Sequence, residues 1–316
     1  WNLDLSYTDE LLRSKYSVFG PKPRTPSCMQ RSYLLSIDFK VHSLTDWAAQ
    51  LKINPLYAIL SGFQFGDTPG VGTFYDFLDR LWDSDSDNLS PHIHPVKKKK
   101  VKKPKQKGDK AEPIEKVTVE QLFQSMEHSS FSIDEQPYAS LFKIYDHEFL
   151  SVSISKGLID ISNLSIAGDG MPVTTSARER KHRICECSKN GITSCHCDRY
   201  FSQPDCDIGY DSSRECFYHG YHLYILVAAN SESDLPLFPL FNPASKHDSH
   251  GFLEAYFRFK AFLPDFHVRK WLLDSAHDAM SYYLYCRKND IQPFIDLNEK
   301  RGISMKYKDD FTIGKD

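Results

Sequence analysis

Two aspartates stand where carboxylates can do metal-dependent chemistry. Asp169 follows an apolar run in LSIAGDGMPV, and Asp274 follows another in RKWLLDSAHDA. Each run predicts a β-strand, so both acids are expected at strand ends, where a sheet holds side chains rigidly and loops expose them. Carboxylate oxygens suit Mg²⁺ or Mn²⁺. Two such ions can activate a water or a 3′-hydroxyl and stabilise the leaving oxygen of a phosphodiester.

Each aspartate also has a purely structural interpretation. An aspartate after a strand is often a turn former or a helix cap, and Asp274 is placed to cap a helix that begins at Ser275. Asp278 is an alternative ligand, although one turn into a helix it can also compensate the helix dipole. The glycines that flank Asp169 would let a DNA backbone approach closely.

A cysteine cluster is the second candidate metal centre. Six of the eight cysteines fall in one stretch, at Cys185, Cys187, Cys195, Cys197, Cys206 and Cys216. Paired thiolates in a segment with little apolar content favour a structural tetrahedral Zn²⁺ site. The expected ligands are Cys185, Cys187, Cys195 and Cys197, with His196, Cys206 and Cys216 as substitutes. The alternative is a set of disulfides, which would require a secreted protein, and no secretory signal is visible.

Two basic segments are candidates for DNA contact. The stretch from Lys97 to Lys110 carries nine lysines and one aspartate, whereas the whole chain has a net charge of −3. The expected phosphate contacts are Lys97, Lys98, Lys99 and Lys100, together with Arg178, Arg180, Lys181 and Arg183 beside the cysteines. The alternatives are a solvated lysine-rich linker and a basic run that only balances zinc-bound thiolates.

The chain divides by composition into three parts. Residues 1–82 predict a small helical domain for DNA binding or dimerisation, with helix starts signalled at Ser27, Ser43 and Thr73. Residues 83–117 are rich in Ser, Asp, Pro and Lys and predict a disordered linker. Residues 118–316 predict an α/β domain with a cysteine-rich insertion at about 178–216. No apolar run reaches the roughly 20 residues that a membrane helix needs, so no membrane span is expected. Trp1 stands in place of Met, and we therefore expect that the true start is missing.

Periodicity places the secondary structure in more detail. The aromatics Phe74, Tyr75, Phe77 and Trp82 are expected in the core of the helical domain. Two later helical patterns, around 119–126 and 139–153, suit packing on a sheet. Further on, strands are expected at 221–229, 268–273 and 291–297, with helices at 250–262 and 276–289. This alternation predicts a mixed sheet with flanking helices.

Three segments together resemble insertion-sequence DDE transposases. The catalytic core of that family resembles GYHLYILVAANSESDLPLFPLFNPASKHDSHGFLEAY and VRKWLLDSAHDAMSYYLYCRKNDIQPFIDLN, and its helical N-terminal domain resembles SLTDWAAQLKINPLYAILSGFQFGDTPGVGTFYDFLDRLW. The resemblance covers most of the chain outside the lysine segment and the cysteine insertion. It implies an RNase H-like α/β (α+β) fold, with the zinc insertion, behind a small all-α domain.

The resemblance also implies roles for particular residues. Asp169 corresponds to the first catalytic acid and Asp274 to the second, sharing a two-metal Mg²⁺ or Mn²⁺ site. The third acid should be a glutamate on a helix downstream of the last strand; Glu299 falls too soon, so the given chain is expected to lack it.

The implied activity is DNA strand cleavage and transfer. The implied partners are double-stranded DNA, as terminal repeats and target, and a second copy in a homodimer on DNA. The expected location is the bacterial cytoplasm, associated with the nucleoid. The alternatives are a non-catalytic zinc-containing DNA-binding remnant or regulator, and an RNase H-like nuclease unrelated to transposition.

The zinc interpretation predicts a simple stoichiometry. Protein purified without chelators should contain about one Zn²⁺ per chain, because four thiolates complete a structural site. Elemental analysis measures this directly, and a zinc-free preparation would contradict the prediction.

Overall fold

The computed structural model describes most of the helical and sheet-forming segments. The described residues are 3–20, 22–83, 118–175 and 206–298, with short pieces at 182–183, 187, 189–192 and 199–200. Nearly all of the expected linker and most of the cysteine-rich insertion therefore lie outside the described residues.

The chain separates into two compact units. One contains the described residues up to 83 together with Ser132–Leu158. The other contains residues 118–131 and the described residues from Ile159 onward. The helical pattern around 139–153 thus belongs to the first unit rather than to the sheet, because its apolar side packs on the N-terminal helices. The pattern around 119–126 does pack with the helices of the sheet unit.

The first unit is helical. Its helices are α1 (Ser6–Leu12), α2 (Pro26–Asp38), α3 (Leu44–Ile53), α4 (Pro55–Ser61), α5 (Val71–Leu81), α7 (Ala139–Tyr145) and α8 (Ser151–Ser155), with a π-helical turn at Asp146–Leu150 between the last two. Ser43 caps α3 by accepting from the Asp46 amide, as its sequence signal predicts. Thr73, in contrast, lies inside α5, which begins two residues earlier after an extended Gly70.

Helices α1 to α5 and α7 each supply buried apolar side chains to the core of this unit. Trp47, Phe74 and Phe77 are almost fully buried, and the spacing of the last two puts them on the same side of α5. The expectation that all four aromatics fill the core is wrong for Tyr75 and Trp82, which are 54% and 41% exposed. Tyr75 follows Phe74 by one position and is therefore turned about 100° away around the helix.

A buried carboxylate links the beginning and the end of the helical unit. Glu148 accepts hydrogen bonds from the amide and hydroxyl of Thr8, both at 2.9 Å, and from Nε2 of Gln30 at 2.8 Å. Three donors satisfy a carboxylate that burial would otherwise destabilise. The network joins α1, α2 and the π-helical turn.

Replacing this carboxylate should destabilise the helical unit. In Glu148→Gln an NH₂ group, which donates, replaces one of the two accepting carboxylate oxygens. A buried donor then loses its acceptor, and we expect the free energy of unfolding to fall by about 1–3 kcal/mol. Urea unfolding followed by the fluorescence of the buried Trp47 measures the change. The exposed Glu10 on α1 offers the matched control, since Glu10→Gln should stay within about 0.5 kcal/mol of the parent. Equal losses in both variants would contradict a structural role for Glu148.

The second unit is built on a mixed sheet. Its strands are β1 (Leu164–Thr174), β4 (Asp207–Asp211), β5 (Cys216–Ala228), β6 (Leu235–Pro243), β7 (Val268–Leu273) and β8 (Gln292–Ile295). A separate two-residue pair joins β2 (His182–Arg183) and β3 (Arg199–Tyr200). The strand order is β4-β5-β1-β7-β8, and β6 pairs with the same β5. β5 is antiparallel to β1 and β6, whereas β7 and β8 continue parallel to β1.

Helices cover one face of this sheet. They are α6 (Val119–His128), α9 (Asp248–Phe262) and α10 (Met280–Lys288), and a short 3₁₀ turn at Ser275–His277 precedes the last. Buried residues alternate along β5, which places Tyr224 and Leu226 beneath α9. Trp271 of β7 packs edge-on against Phe252 and Tyr256 of α9. The expected mixed sheet with flanking helices is confirmed.

Candidate functional site

Asp169 lies within a strand rather than at its end. β1 continues for five residues beyond it, so the expected strand end at Asp169 is wrong. The cause is β5, whose antiparallel pairing holds β1 in an extended conformation through Thr174. Pairing of β1 with β7, however, ends at Ala167. The carboxylate of Asp169 is exposed, and its Oδ1 accepts from the Gly170 amide at 2.8 Å.

Asp274 directly follows β7, as its sequence predicts. Its Oδ1 accepts from the Ala276 amide at 3.2 Å and so caps the 3₁₀ turn. The same oxygen lies 2.6 Å from Nδ1 of His277. The side chain of Asp274 is nevertheless 57% exposed, so capping leaves much of the carboxylate accessible.

The register of β1 and β7 places the two acids level with each other. Ala167 pairs with Leu272 in the parallel ladder, and Asp169 and Asp274 each lie two residues further along. Neighbouring strands are about 4.8 Å apart, so extending this register past Ala167, where the ladder ends, would bring the backbones of the two acids near one another. Burial raises the pKa of the Tyr224 hydroxyl, and Tyr282 and the carboxylates of Asp248, Asp274 and Asp169 raise it further.

A histidine–aspartate pair that the sequence analysis did not predict lies against Gly170, the residue after Asp169. Nε2 of His222 on β5 is 2.9 Å from Oδ1 of Asp248 in the first turn of α9. Burial alone would raise the pKa of Asp248, but the hydrogen bond and the charge of His222 lower it below its ordinary value. The pair rests on Gly170, where an added Cβ would lie 2.2 Å from the His222 ring and 2.3 Å from Asp248. The sequence signal for His222 is the alternation of buried residues along β5, since His222 lies two residues before Tyr224 and therefore on the same face of the strand.

His247 has a structural role at the start of α9. His247 is the N-cap residue of α9, and its Nδ1 accepts from the Ser249 amide at 3.3 Å. Asp248, the first residue of α9, does not cap the helix and pairs with His222. Burial lowers the pKa of His250, and the charges of Lys246 and His247 lower it further.

A buried tyrosine and histidine extend from Asp274 into the sheet unit. The Tyr224 hydroxyl lies 3.2 Å from Nε2 of His277, whose Nδ1 contacts Asp274. Both rings are almost fully buried, at 0% and 1% exposure. Asp274 is thus the exposed end of a chain of three side chains.

Asp278 accepts hydrogen bonds from residues outside the series Asp274, His277 and Tyr224. Its Oδ2 accepts from the Asn298 amide at 2.9 Å, and its Oδ1 accepts from the Tyr283 hydroxyl at 3.2 Å. These contacts tie the residues after β8 to the start of α10. They give Asp278 a structural function, whereas Asp274 keeps an accessible carboxylate.

Most of the expected zinc and DNA contacts lie outside the described residues. These are Cys185, Cys195, His196, Cys197, Arg178, Arg180, Lys181 and Lys97 to Lys100. The backbone of Arg183 lies in β2, Cys187 is half-buried, Cys206 is buried before β4 and Cys216 is exposed. Within the described part of the chain, no group of three or more His, Cys, Asp or Glu side chains could hold a metal ion. The zinc site remains a prediction.

Comparisons with protein-family models, with curated proteins and with solved structures each found no match. Over the same described residues, none of the helices combines the length and apolar character that crossing a bilayer requires.

The close approach at Gly170 predicts a specific sensitivity. Gly170→Ala should displace the His222–Asp248 pair, and overpacking of this kind lowers the free energy of unfolding by about 1–3 kcal/mol. Gly72→Ala is the control, because Gly72 lies in α5 with open space around it, and alanine there should stabilise by up to about 1 kcal/mol. Urea unfolding followed by circular dichroism compares the two. Stabilisation by both substitutions would show that the pair does not rest on Gly170.

Proposed function

We propose that this protein is a metal-dependent polynucleotidyl transferase of the DDE transposase type, which cleaves and joins DNA strands with Asp169 and Asp274. The observation that carries the proposal is the register of two adjacent parallel strands, which sets these acids at the same level. Neither position is explained by packing alone, since Asp169 is exposed and Asp274 is 57% exposed.

The order of the strands supports the same proposal. In chain order, leaving aside the short β4 and the β2–β3 pair, the sheet runs third-second-first-fourth-fifth, with only the second strand antiparallel to the rest. The chain order reverses between the first and the fourth strand, and open α/β sheets place their sites at such a point, at the carboxyl ends of the strands. Here those strands are β1, which carries Asp169, and β7, which Asp274 directly follows.

The two carboxylates fit a divalent-metal site that DNA would complete. Mg²⁺ is commonly held by one or two carboxylates together with waters and substrate phosphates, so a dedicated third side chain is not required for binding. Asp169 and Asp274 would hold Mg²⁺ or Mn²⁺, which when bound neutralise developing charge and activate a water or a 3′-hydroxyl. The role of the two carboxylates is to fix where the ions would be held, because both belong to adjacent strands of one rigid sheet.

The remaining parts of the proposal concern partners. The substrate class is double-stranded DNA, held by the lysine segment at 97–100 and the basic run at 178–183, with a structural Zn²⁺ in the cysteine-rich insertion. A homodimer assembled on DNA would pair the element ends. Such a protein would act in the bacterial cytoplasm at the nucleoid.

Metal binding tests the proposal directly. Asp169→Asn and Asp274→Asn should each weaken Mn²⁺ binding by more than the 10- to 100-fold that loss of an outer-shell partner typically costs, because each removes a direct ligand. Titration with Mn²⁺ monitored by electron paramagnetic resonance measures the affinity. Asp290→Asn is the matched control, since Asp290 is 96% exposed and lies in the turn between α10 and β8.

Unchanged affinity in both active-site variants would reject the proposed site. Salt-sensitive DNA binding that survives both substitutions, without metal-dependent cleavage by the full-length protein, would instead identify a DNA-binding regulator.

A further inference from the structure

We propose that Tyr224 and His277 are positioning residues that fix the carboxylate of Asp274 for metal binding. This inference rests on the proposed function. It gives a role to Tyr224 and His277, two buried side chains that the metal itself would not contact. Ligating carboxylates are commonly oriented by a second layer of hydrogen bonds, and loss of such partners weakens metal affinity.

The two carboxylate oxygens of Asp274 differ in their contacts. Oδ1 is 2.6 Å from Nδ1 of His277 and 3.2 Å from the Ala276 amide nitrogen. In the described part of the chain, no donor reaches Oδ2 of Asp274. One oxygen therefore holds the rotamer, and the other remains available to an ion.

The direction of the hydrogen bonds follows from the acceptor at the end. An ionised carboxylate can only accept, so Nδ1 of His277 carries the proton that it donates to Asp274. In the neutral ring Nε2 is then an acceptor, and the hydroxyl of Tyr224 donates to it. Burial raises the pKa of Tyr224 well above its ordinary value, which keeps that hydroxyl protonated. All three groups are then satisfied in one consistent direction.

Two glycines make room for this tyrosine. A Cβ on Gly168 would lie 2.7 Å from the Tyr224 hydroxyl, and a Cβ on Gly251 would lie 3.1 Å from its ring. The ring therefore occupies a slot between β1 and α9 that larger residues would close. Gly168 immediately precedes Asp169 on β1. Tyr224, which packs against Gly168, contacts His277, and His277 contacts Asp274. The same tyrosine therefore touches the strand of Asp169 and the residue that holds Asp274.

Aromatic rings fix the orientation of His277. Phe252 and Tyr282 pack against it edge to face, with centroids 5.5 and 5.6 Å away. At 1% exposure the imidazole has no water to replace its partners. Removing either end of the chain would leave a buried nitrogen without a hydrogen bond.

Variants at His277 separate its two contacts. The amide nitrogen of asparagine can replace Nδ1, so His277→Asn should retain most of the Mn²⁺ affinity. Glutamine replaces Nε2 rather than Nδ1, and His277→Phe provides neither, so both should weaken Mn²⁺ binding by about 10-fold or more. Tyr224→Phe should weaken it to a smaller extent, since it removes only the second hydrogen bond.

Tyr282→Phe is the matched control. Tyr282 is equally buried in the same aromatic cluster, but its hydroxyl donates to the Ser249 carbonyl at 2.5 Å and not to the Asp274 chain. This variant should lose stability without losing Mn²⁺ affinity. Thermal unfolding of each variant identifies any that fail to fold, and ¹⁵N NMR of His277 reports its tautomer, which should carry the proton on Nδ1.

The outcomes distinguish this inference from the function on which it rests. If Asp274→Asn abolishes Mn²⁺ binding while His277→Phe and His277→Gln bind as the parent does, the positioning role is rejected and the metal site stands. If Asp274→Asn also binds as the parent does, both are rejected. Loss in His277→Phe with recovery in His277→Asn supports the positioning role, whereas loss in every folded His277 variant and in Tyr282→Phe indicates packing alone and overturns it.

Discussion

The parallel pairing of β1 with β7 is the constraint on which the proposed site depends. These strands are separated in sequence by nearly a hundred residues, and only the ladder from Leu164 to Ala167 determines their register. A slip of one residue would turn the side chains of one strand to the opposite face. The buried Ile166 and Trp271, which pair within this ladder, resist such a slip because it would expose them.

Glycines on β1 link this register to the surrounding side chains. Gly168 faces Tyr224 and Gly170 faces the His222–Asp248 pair, so these side chains of β5 and α9 lie closer to the β1 backbone than a Cβ atom there would allow. Between the two glycines Asp169 keeps its carboxylate exposed. Side chains alternate between the two faces of a strand. In the segment Gly-Asp-Gly, one face is therefore in close contact with neighbouring side chains, and the opposite face carries the accessible carboxylate of Asp169.

The sequence predicted regular elements well where burial and periodicity agreed. The bounds of β7 are as predicted, and α9 begins only two residues earlier than expected. Gly168 and Gly170 are predicted to let a DNA backbone approach Asp169, whereas in the fold the side chains of Tyr224, His222 and Asp248 lie close to them. β6 was missed because its prolines resemble a loop, and an edge strand tolerates prolines that a central strand does not. The side chains that support Asp274 were not predictable, because β5 and the turn after β7 meet only in the folded protein.

The prolines of β6 have a consequence for assembly. Pro236, Pro239 and Pro243 carry no amide hydrogen, so this border of the sheet presents an interrupted row of donors. Such a border resists the uncontrolled strand-to-strand joining that leads to aggregation. A second copy of the chain would therefore have to associate through side chains or helices rather than by extending the sheet past β6.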